Sequence, residues 1–273
     1  MKIKYLVLLS FFVIIFILII VKGFDNRLRI TKYEFRSKKI NEMIKVAFLS
    51  DLHGYEYGKN QSDLIFMLEK MSPDIIVLVG DIIDDKRPSE TTFLMLEKLV
   101  KIAPCFYVTG NHEAYTFQLD KIKSRIEKAG IFVLAGNREQ IEVNNNKINI
   151  LGIEDPFCQE DLYKKQVNNL VQLNNSDFTI LLAHRPDRYT DYQKIETDLI
   201  LSGHAHGGQF RIPKTNIAFY APHQGLLPKL TKGFHQLEDS VLLVSRGMCP
   251  TTRHIPRFFN PPELIELTIS SNK

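Results

Sequence analysis

At 273 residues, with 44% apolar and 24% charged side chains, the chain is long enough to bury a sizeable core and too apolar to be disordered. Its net charge of +4 sits at one end: residues 1–39 carry nine Lys and Arg against Asp25 and Glu34, which leaves the remainder at −3. That distribution argues against a nucleic-acid groove and for a basic segment beside a membrane surface. Cys105, Cys158 and Cys249 match neither a CxxC pattern nor a disulfide framework and read as buried or incidental thiols.

From Tyr5 to Val21 the chain has no charge, Gly or Pro. As a helix this run reaches about 26 Å, the short end of what crosses a bilayer core, with Lys4 and Lys22 placed to snorkel. No small-x-small cleavage pattern follows it, so it reads as an uncleaved single-pass anchor. Residues 1–39 are therefore expected to be anchor and basic linker, and residues 40–273 the catalytic domain.

Beyond Ile44, Lys45–Ser50, Ile75–Val79 and Cys105–Thr109 are β-branched or aromatic runs expected to form buried strands. Between them, Asp63–Met71 and Thr92–Val100 place apolar residues at helical spacing, and Pro73 and Pro104 stop them. This is a βαβαβ start with a largely parallel sheet. A helix over about Gln118–Ala129 follows. Ile131–Leu134, Gln140–Val143 and Lys147–Ile153 then read as strands, the last two joined by an Asn144–Asn146 hairpin turn. A helix over Glu160–Leu173 leads to strands Phe178–Ala183 and Asp198–Ser202. The C-terminal strands, Val241–Ser245 and Leu264–Ile269, are expected to pair antiparallel. Phe219, Tyr220, Leu226, Leu227, Leu230 and Phe234 read as core packing, with lipid contact as the alternative.

Polar groups follow these strands: Asp51 and His53, Gly80-Asp81, Gly110-Asn111-His112-Glu113, His184, and Gly203-His204-Ala205-His206. Strand carboxyl ends are where open α/β sheets build sites, so the five groups are expected to converge on one edge. Carboxylates, an amide and imidazoles without a thiolate suit Mn, Fe or Zn. One-residue spacers in Asp51-x-His53 and His204-x-His206 send both side chains one way. A lone His after a strand is usually just a satisfied polar residue; the ordered conjunction is what points to a metal site.

The motifs Asp51-x-His53, Gly80-Asp81-x-x-Asp84, Gly110-Asn111-His112-Glu113, His184 and Gly203-His204-x-His206 resemble the calcineurin-like metallophosphoesterase family. The resemblance spans about residues 44–270 and implies a four-layer α/β/β/α sandwich preceded here by the anchor helix. It implies one metal held by Asp51, His53, Asp81 and His206, and another by Asp81, Asn111, His184 and His204, with Asp81 bridging. It makes His112 the group that protonates or orients the leaving oxygen. Two divalent ions sharing a carboxylate and a hydroxide would supply a nucleophile at neutral pH. Glu113 and Asp84 read as supporting acids behind the ligands, and Asp84 as a hydrogen-bond partner for His112 in the alternative role of that residue.

The anchor and the Ser202–Gln209 stretch further resemble bacterial membrane-associated phosphoesterases, including enzymes acting on lipid-linked pyrophosphates. The expected activity is therefore hydrolysis of a phosphodiester or pyrophosphate bond in a membrane-associated substrate. The alternatives are a general phosphomonoesterase or nucleotide phosphodiesterase, or a non-catalytic binding protein on the same fold. Flanking charge favours a cytoplasmic catalytic domain, whereas the resemblance favours the extracytoplasmic side. Arg185, Arg246, Arg253 and Arg257 are candidates for substrate phosphate, with surface charge as the competing reading.

Overall fold

The computed structural model describes residues 2–87, 89–174, 176–252 and 255–272. Helix α1 (Lys2–Gly23) is followed by strand β1 (Arg29–Ser37) and then by β2 (Ile44–Leu49), helix α2 (Ser62–Met71), β3 (Ile75–Val79), α3 (Glu90–Leu99) and β4 (Cys105–Val108). Helices α4 (Asn111–Tyr115) and α5 (Leu119–Lys128) lead to β5 (Phe132–Val133), β6 (Asn137–Val143), β7 (Asn146–Ile153) and α6 (Glu160–Val171). Then come β8 (Phe178–Ala183), β9 (Leu199–Ser202), β10 (Gly233–Gln236), β11 (Val241–Val244) and β12 (Glu263–Ser271).

Two mixed six-stranded sheets result, in the orders β1-β12-β2-β3-β4-β5 and β10-β11-β9-β8-β7-β6. Strand periodicity explains how they stack. In β2, Val46 and Phe48 enter the core between the sheets, while Ala47 and Leu49 pack outward against α2 and α3. In β8, Ile180 and Leu182 face the same inner core, while Leu181 and Ala183 pack with Tyr163, Val167 and Leu170 of α6. Both faces of each central strand are covered, which is why these runs are apolar throughout. The three apolar clusters are the three interfaces of the expected α/β/β/α sandwich.

The Asn144–Asn146 turn forms as expected: Asn144 and Asn145 adopt φ of 47° and 55°, the left-handed values that a tight hairpin between β6 and β7 needs. Two expectations need correction. Residues 29–37, expected as basic linker, form β1, paired in parallel with β12 over its full length. The C-terminal strands do not pair simply antiparallel: β11 lies parallel to β9 and antiparallel to β10, and β12 runs antiparallel to β2 but parallel to β1. The chain end thus returns to the first sheet.

Helix α1 stands off the sandwich with its side chains exposed, Phe12 at 58% and Phe16 at 63%. Its last turn is fastened: the Phe259 N–H donates to Gly23 O at 2.7 Å, and Phe24 meets the Phe258 ring edge-on at 4.9 Å. Among the described residues no helix is long and apolar enough to cross a membrane.

Candidate metal centre

The seven proposed ligands meet at the facing carboxyl ends of the two sheets. Asp51 and His53 follow β2, Asp81 follows β3 and Asn111 opens α4 after β4; His184 follows β8, and His204 and His206 follow β9. The convergence is therefore between two sheets and not along the edge of one. Asp51, His53, Asp81, His204 and His206 all hold φ between 47° and 63°. Left-handed backbone at five such positions is strain that surrounding structure must impose, and it marks a built site. At Gly110 a Cβ would overlap Asp81 Oδ1, so only glycine lets the two loops approach.

Each carboxylate is held by a backbone N–H through one oxygen and turns the other to the centre. Asp51 Oδ1 accepts the His204 N–H at 2.9 Å, and Asp81 Oδ1 accepts the His112 N–H at 2.8 Å. Asp51 Oδ2, Asp81 Oδ2, His53 Nε2, Asn111 Oδ1 and His206 Nδ1 are buried without hydrogen-bond partners. Unsatisfied atoms of this kind are costly in a dry interior, and a cation satisfies them together. His53, Asp51, Asp81 and His206 have ligand atoms close enough to share one ion, and so have Asp81, His184 and His204. His184 Nε2 lies 3.1 Å from Asp81 Oδ2 and 3.2 Å from His204 Nδ1. The donor set fits two divalent cations with Asp81 common to both groups.

A surrounding ring of contacts orients these donors. His184 Nδ1 donates to Val79 O at 2.8 Å, and His53 Nδ1 lies 3.1 Å from Asp84 Oδ2, so in each the Nε2 is turned to the centre. Glu113 accepts four backbone N–H groups, those of Asp81, Ile82, Ile83 and Gly110, and so clamps the β3 loop to the β4 loop. This is the supporting role expected for Glu113 and Asp84. Burial opposes charge on Asp81, yet His184 and His53 hold its carboxyl well below the usual range. Burial and the neighbouring His184 hold His204 low, and burial with His53 does the same for His206, so both are neutral donors.

His112 is buried at the rim, its ring 4.4 Å from that of His53. Its Nδ1 is 2.7 Å from Asp85 Oδ1 and 3.5 Å from Asp84 Oδ2, so Asp85 and not Asp84 is its main partner. His223 was also unforeseen: its Nδ1 sits 2.8 Å from His204 Nε2. Nothing near His223 in sequence signals this, since a loop of many residues brings it back to the site. Asp85 had a weak signal in the paired acids Asp84-Asp85.

The arginine candidates are engaged elsewhere. Arg246 donates through Nε and Nη2 to one oxygen of buried Glu263, Oε2, at 2.9 and 2.6 Å, Arg185 pairs with Asp187 at 2.9 Å, and Arg257, wholly buried, donates to Cys249 O and Gly247 O. Arg253 lies outside the described residues. Core packing also fails for much of the 219–234 segment: Phe219, Tyr220, Leu226 and Leu227 are 41 to 69% exposed, because Pro222, Gly225 and Pro228 keep it out of either sheet.

Comparison with known proteins agrees with this geometry. The calcineurin-like phosphoesterase family model matches residues 44–208. The chain belongs to that family. It is 30% identical over 253 residues to a metallophosphoesterase of Aquifex aeolicus, covering 89% of this chain and 92% of that one. It is 29% identical over 234 residues to the metallophosphoesterase YkoQ of Bacillus subtilis, covering 83% and 82%. The crystal structure of TT1561 of Thermus thermophilus shares the fold at a TM-score of 0.50 and 12% identity, covering 75% of this chain and 90% of that chain. With its buried cluster of Asp51, His53, Asp81 and His206, this calcineurin-like member is a binuclear, metal-dependent phosphoester hydrolase.

Proposed function

We propose that the chain hydrolyses a phosphodiester or pyrophosphate bond in a membrane-associated substrate, with α1 as its anchor. The observation that carries this is the join between α1 and the site. Gly23 and Phe24 pack on Phe258 and Phe259; the Phe258 N–H donates to Gln209 O, three residues beyond His206. An exposed apolar helix therefore ends beside the metal loop, and the exposed Phe219, Tyr220, Leu226 and Leu227 project from the same loop segment. Taken over its whole length, Tyr5–Val21 is an apolar run flanked by Lys4 and Lys22, which suits a single span. Which side the catalytic domain occupies is set by competing cues, and the family resemblance favours the extracytoplasmic one.

In this reading Asp51, His53, Asp81 and His206 hold one cation and Asp81, Asn111, His184 and His204 the other, with Mn, Fe or Zn suiting the donors. The bound pair supplies an activated water and charge stabilisation for the phosphoryl group. The chain's own part is geometric. Val79 O and Asp84 fix the rings of His184 and His53, and His112, oriented by Asp85, holds a proton at Nε2 for the leaving oxygen.

The test is a substrate panel with the full chain reconstituted in vesicles with Mn, Fe, Zn or Mg. Aryl mono- and diesters, nucleotides and lipid pyrophosphates are compared by kcat/KM. Preference for a diester or lipid pyrophosphate supports the proposal. Preference for monoesters or soluble nucleotides overturns it.

A further inference from the structure

Beside the metal loop lies a cavity of about 780 Å³ that the phosphoesterase site does not use. Arg211, Lys229 and Lys232 line it together with Ile217, Leu227 and Phe234, and among the described residues no Asp or Glu does. The sequence sharpens this: from Leu199 to Leu237 the chain has no acidic residue at all. Arg211 is buried, 6% exposed, and its Nη1 donates to Gly207 O at 2.7 Å and Thr231 Oγ1 at 2.9 Å. Its Nη2 has no partner.

A buried guanidinium ordinarily has a carboxylate or a full set of acceptors, because burying an unpaired charge is strongly unfavourable. The acid nearest in electrostatic effect, Glu263, is already committed: its two oxygens take the backbone N–H, Nε and Nη2 of Arg246. Burial, with Arg246 close by, pushes the Arg211 pKa down to about 10, and burial and Arg211 also lower that of Lys232. Glu263 thus only partly offsets the positive charge here, in a hollow whose remaining walls are largely apolar.

We propose that this cavity binds the phosphate of an amphiphile, with Arg211, Lys229 and Lys232 supplying the cations and Ile217, Leu227 and Phe234 lining the path of its hydrocarbon. Planar guanidinium and paired ammonium groups suit a phosphate, and the apolar lining adds affinity that a free phosphate does not gain. The site is distinct from the seven ligands, and its occupancy does not depend on which bond the metal centre cleaves. It joins that centre through Gly207, which follows His206 directly.

The experiment titrates the metal-loaded full chain in detergent with dihexanoyl phosphatidic acid and with inorganic phosphate, by calorimetry. The comparison is with Lys229→Ala/Lys232→Ala, whose side chains are exposed and half-buried, with its fold checked by thermal unfolding. A parallel readout on the unaltered chain is acylation of Lys229 and Lys232, followed by mass spectrometry. Phosphatidic acid should slow acylation of both lysines, and its binding should weaken about tenfold in the variant, the scale of one charge-assisted contact. It should also bind more tightly than phosphate. Equal protection by both probes at equal affinity would identify free phosphate as the ligand and overturn the amphiphile. Unprotected lysines and unchanged binding in the variant would overturn the site itself.

Discussion

The backbone N–H of His204 donates to Asp51 Oδ1 at 2.9 Å, so a carboxylate that ends a strand of one sheet holds the loop that ends a strand of the other. The same carboxylate presents its second oxygen, unpartnered, to the metal centre. One residue thus joins the two layers and offers a free oxygen to a cation. Asp51→Asn keeps an acceptor for the His204 N–H, whereas Asp51→Ala removes it. Both should lose turnover by about 10³-fold or more, since several kcal/mol of charge stabilisation is removed. Only the alanine variant should lower the melting temperature of the metal-free chain, and thermal unfolding in chelator measures this.

His112→Asn should leave two metals bound per chain, because the ring lies outside both proposed ligand groups, and should slow hydrolysis of esters with poor leaving groups by about 10²-fold. Esters with good leaving groups should be less affected. Asp85→Asn should show the same dependence more weakly, since Asp85 acts through His112 at 2.7 Å. Equal losses across leaving groups would make His112 a positioning residue.

His223→Ala should weaken metal binding about tenfold, the usual effect of removing a group that orients a ligand histidine. The contact is from His223 Nδ1 to His204 Nε2 at 2.8 Å, which leaves His204 Nδ1 for the ion near His184. A competition titration against a chelator of known affinity gives the number. Unchanged affinity would remove His223 from the site.

Proton release should accompany metal binding. In the metal-free fold, burial opposes the His53 and His184 cations, but Asp84 with Asp81 for the first and Asp81 with Asp51 for the second outweigh it, holding the pKa values at about 9 and about 10. Both are raised above the ordinary value near 6.5, so the protonated rings stabilise the metal-free fold fully below about pH 6.5, and this is lost as pH rises towards 9 and 10. A metal needs neutral imidazole, so at pH 7.5 it displaces these protons. Calorimetry in buffers of differing ionisation enthalpy should show the release, and affinity should rise with pH over the same window.

The parallel core was legible because β2, β3 and β8 are covered on both faces and therefore read as unbroken apolar runs. Strand β1 was not: Tyr33 and Phe35 turn inward, but Lys32, Glu34 and Arg36 alternate with them on the open face and read as linker charge. The return of β12 to sit between β1 and β2 is a long-range pairing that no local pattern encodes. Likewise the convergence of the seven candidate ligands follows from motif order, whereas the His223 and Asp85 contacts depend on where loops fold back.

Because β1 lies inside the sandwich, the point of truncation matters. A chain beginning at Ile40 loses the Phe35–Phe178 and Tyr33–Phe234 contacts and leaves β12 as a bare edge. It should aggregate or melt several degrees lower. A chain beginning at Asp25 retains β1 and should fold, hydrolyse a small aryl phosphodiester at the full-length rate, and lose activity on a lipid-linked substrate in vesicles. Equal activity on the lipid substrate would make α1 irrelevant to catalysis.

A two-metal centre shared through Asp81 would fix the stoichiometry of activation. The chelator-stripped full chain is titrated with Mn²⁺ while bound metal and turnover of an aryl phosphodiester are followed together, for the unaltered chain and for Asp81→Ala. The unaltered chain should be inactive when stripped and reach full turnover at two ions per chain, and the variant should bind fewer ions and stay inactive at saturation. Turnover that survives stripping, saturates at a single ion, or persists in the variant with two ions bound would contradict it.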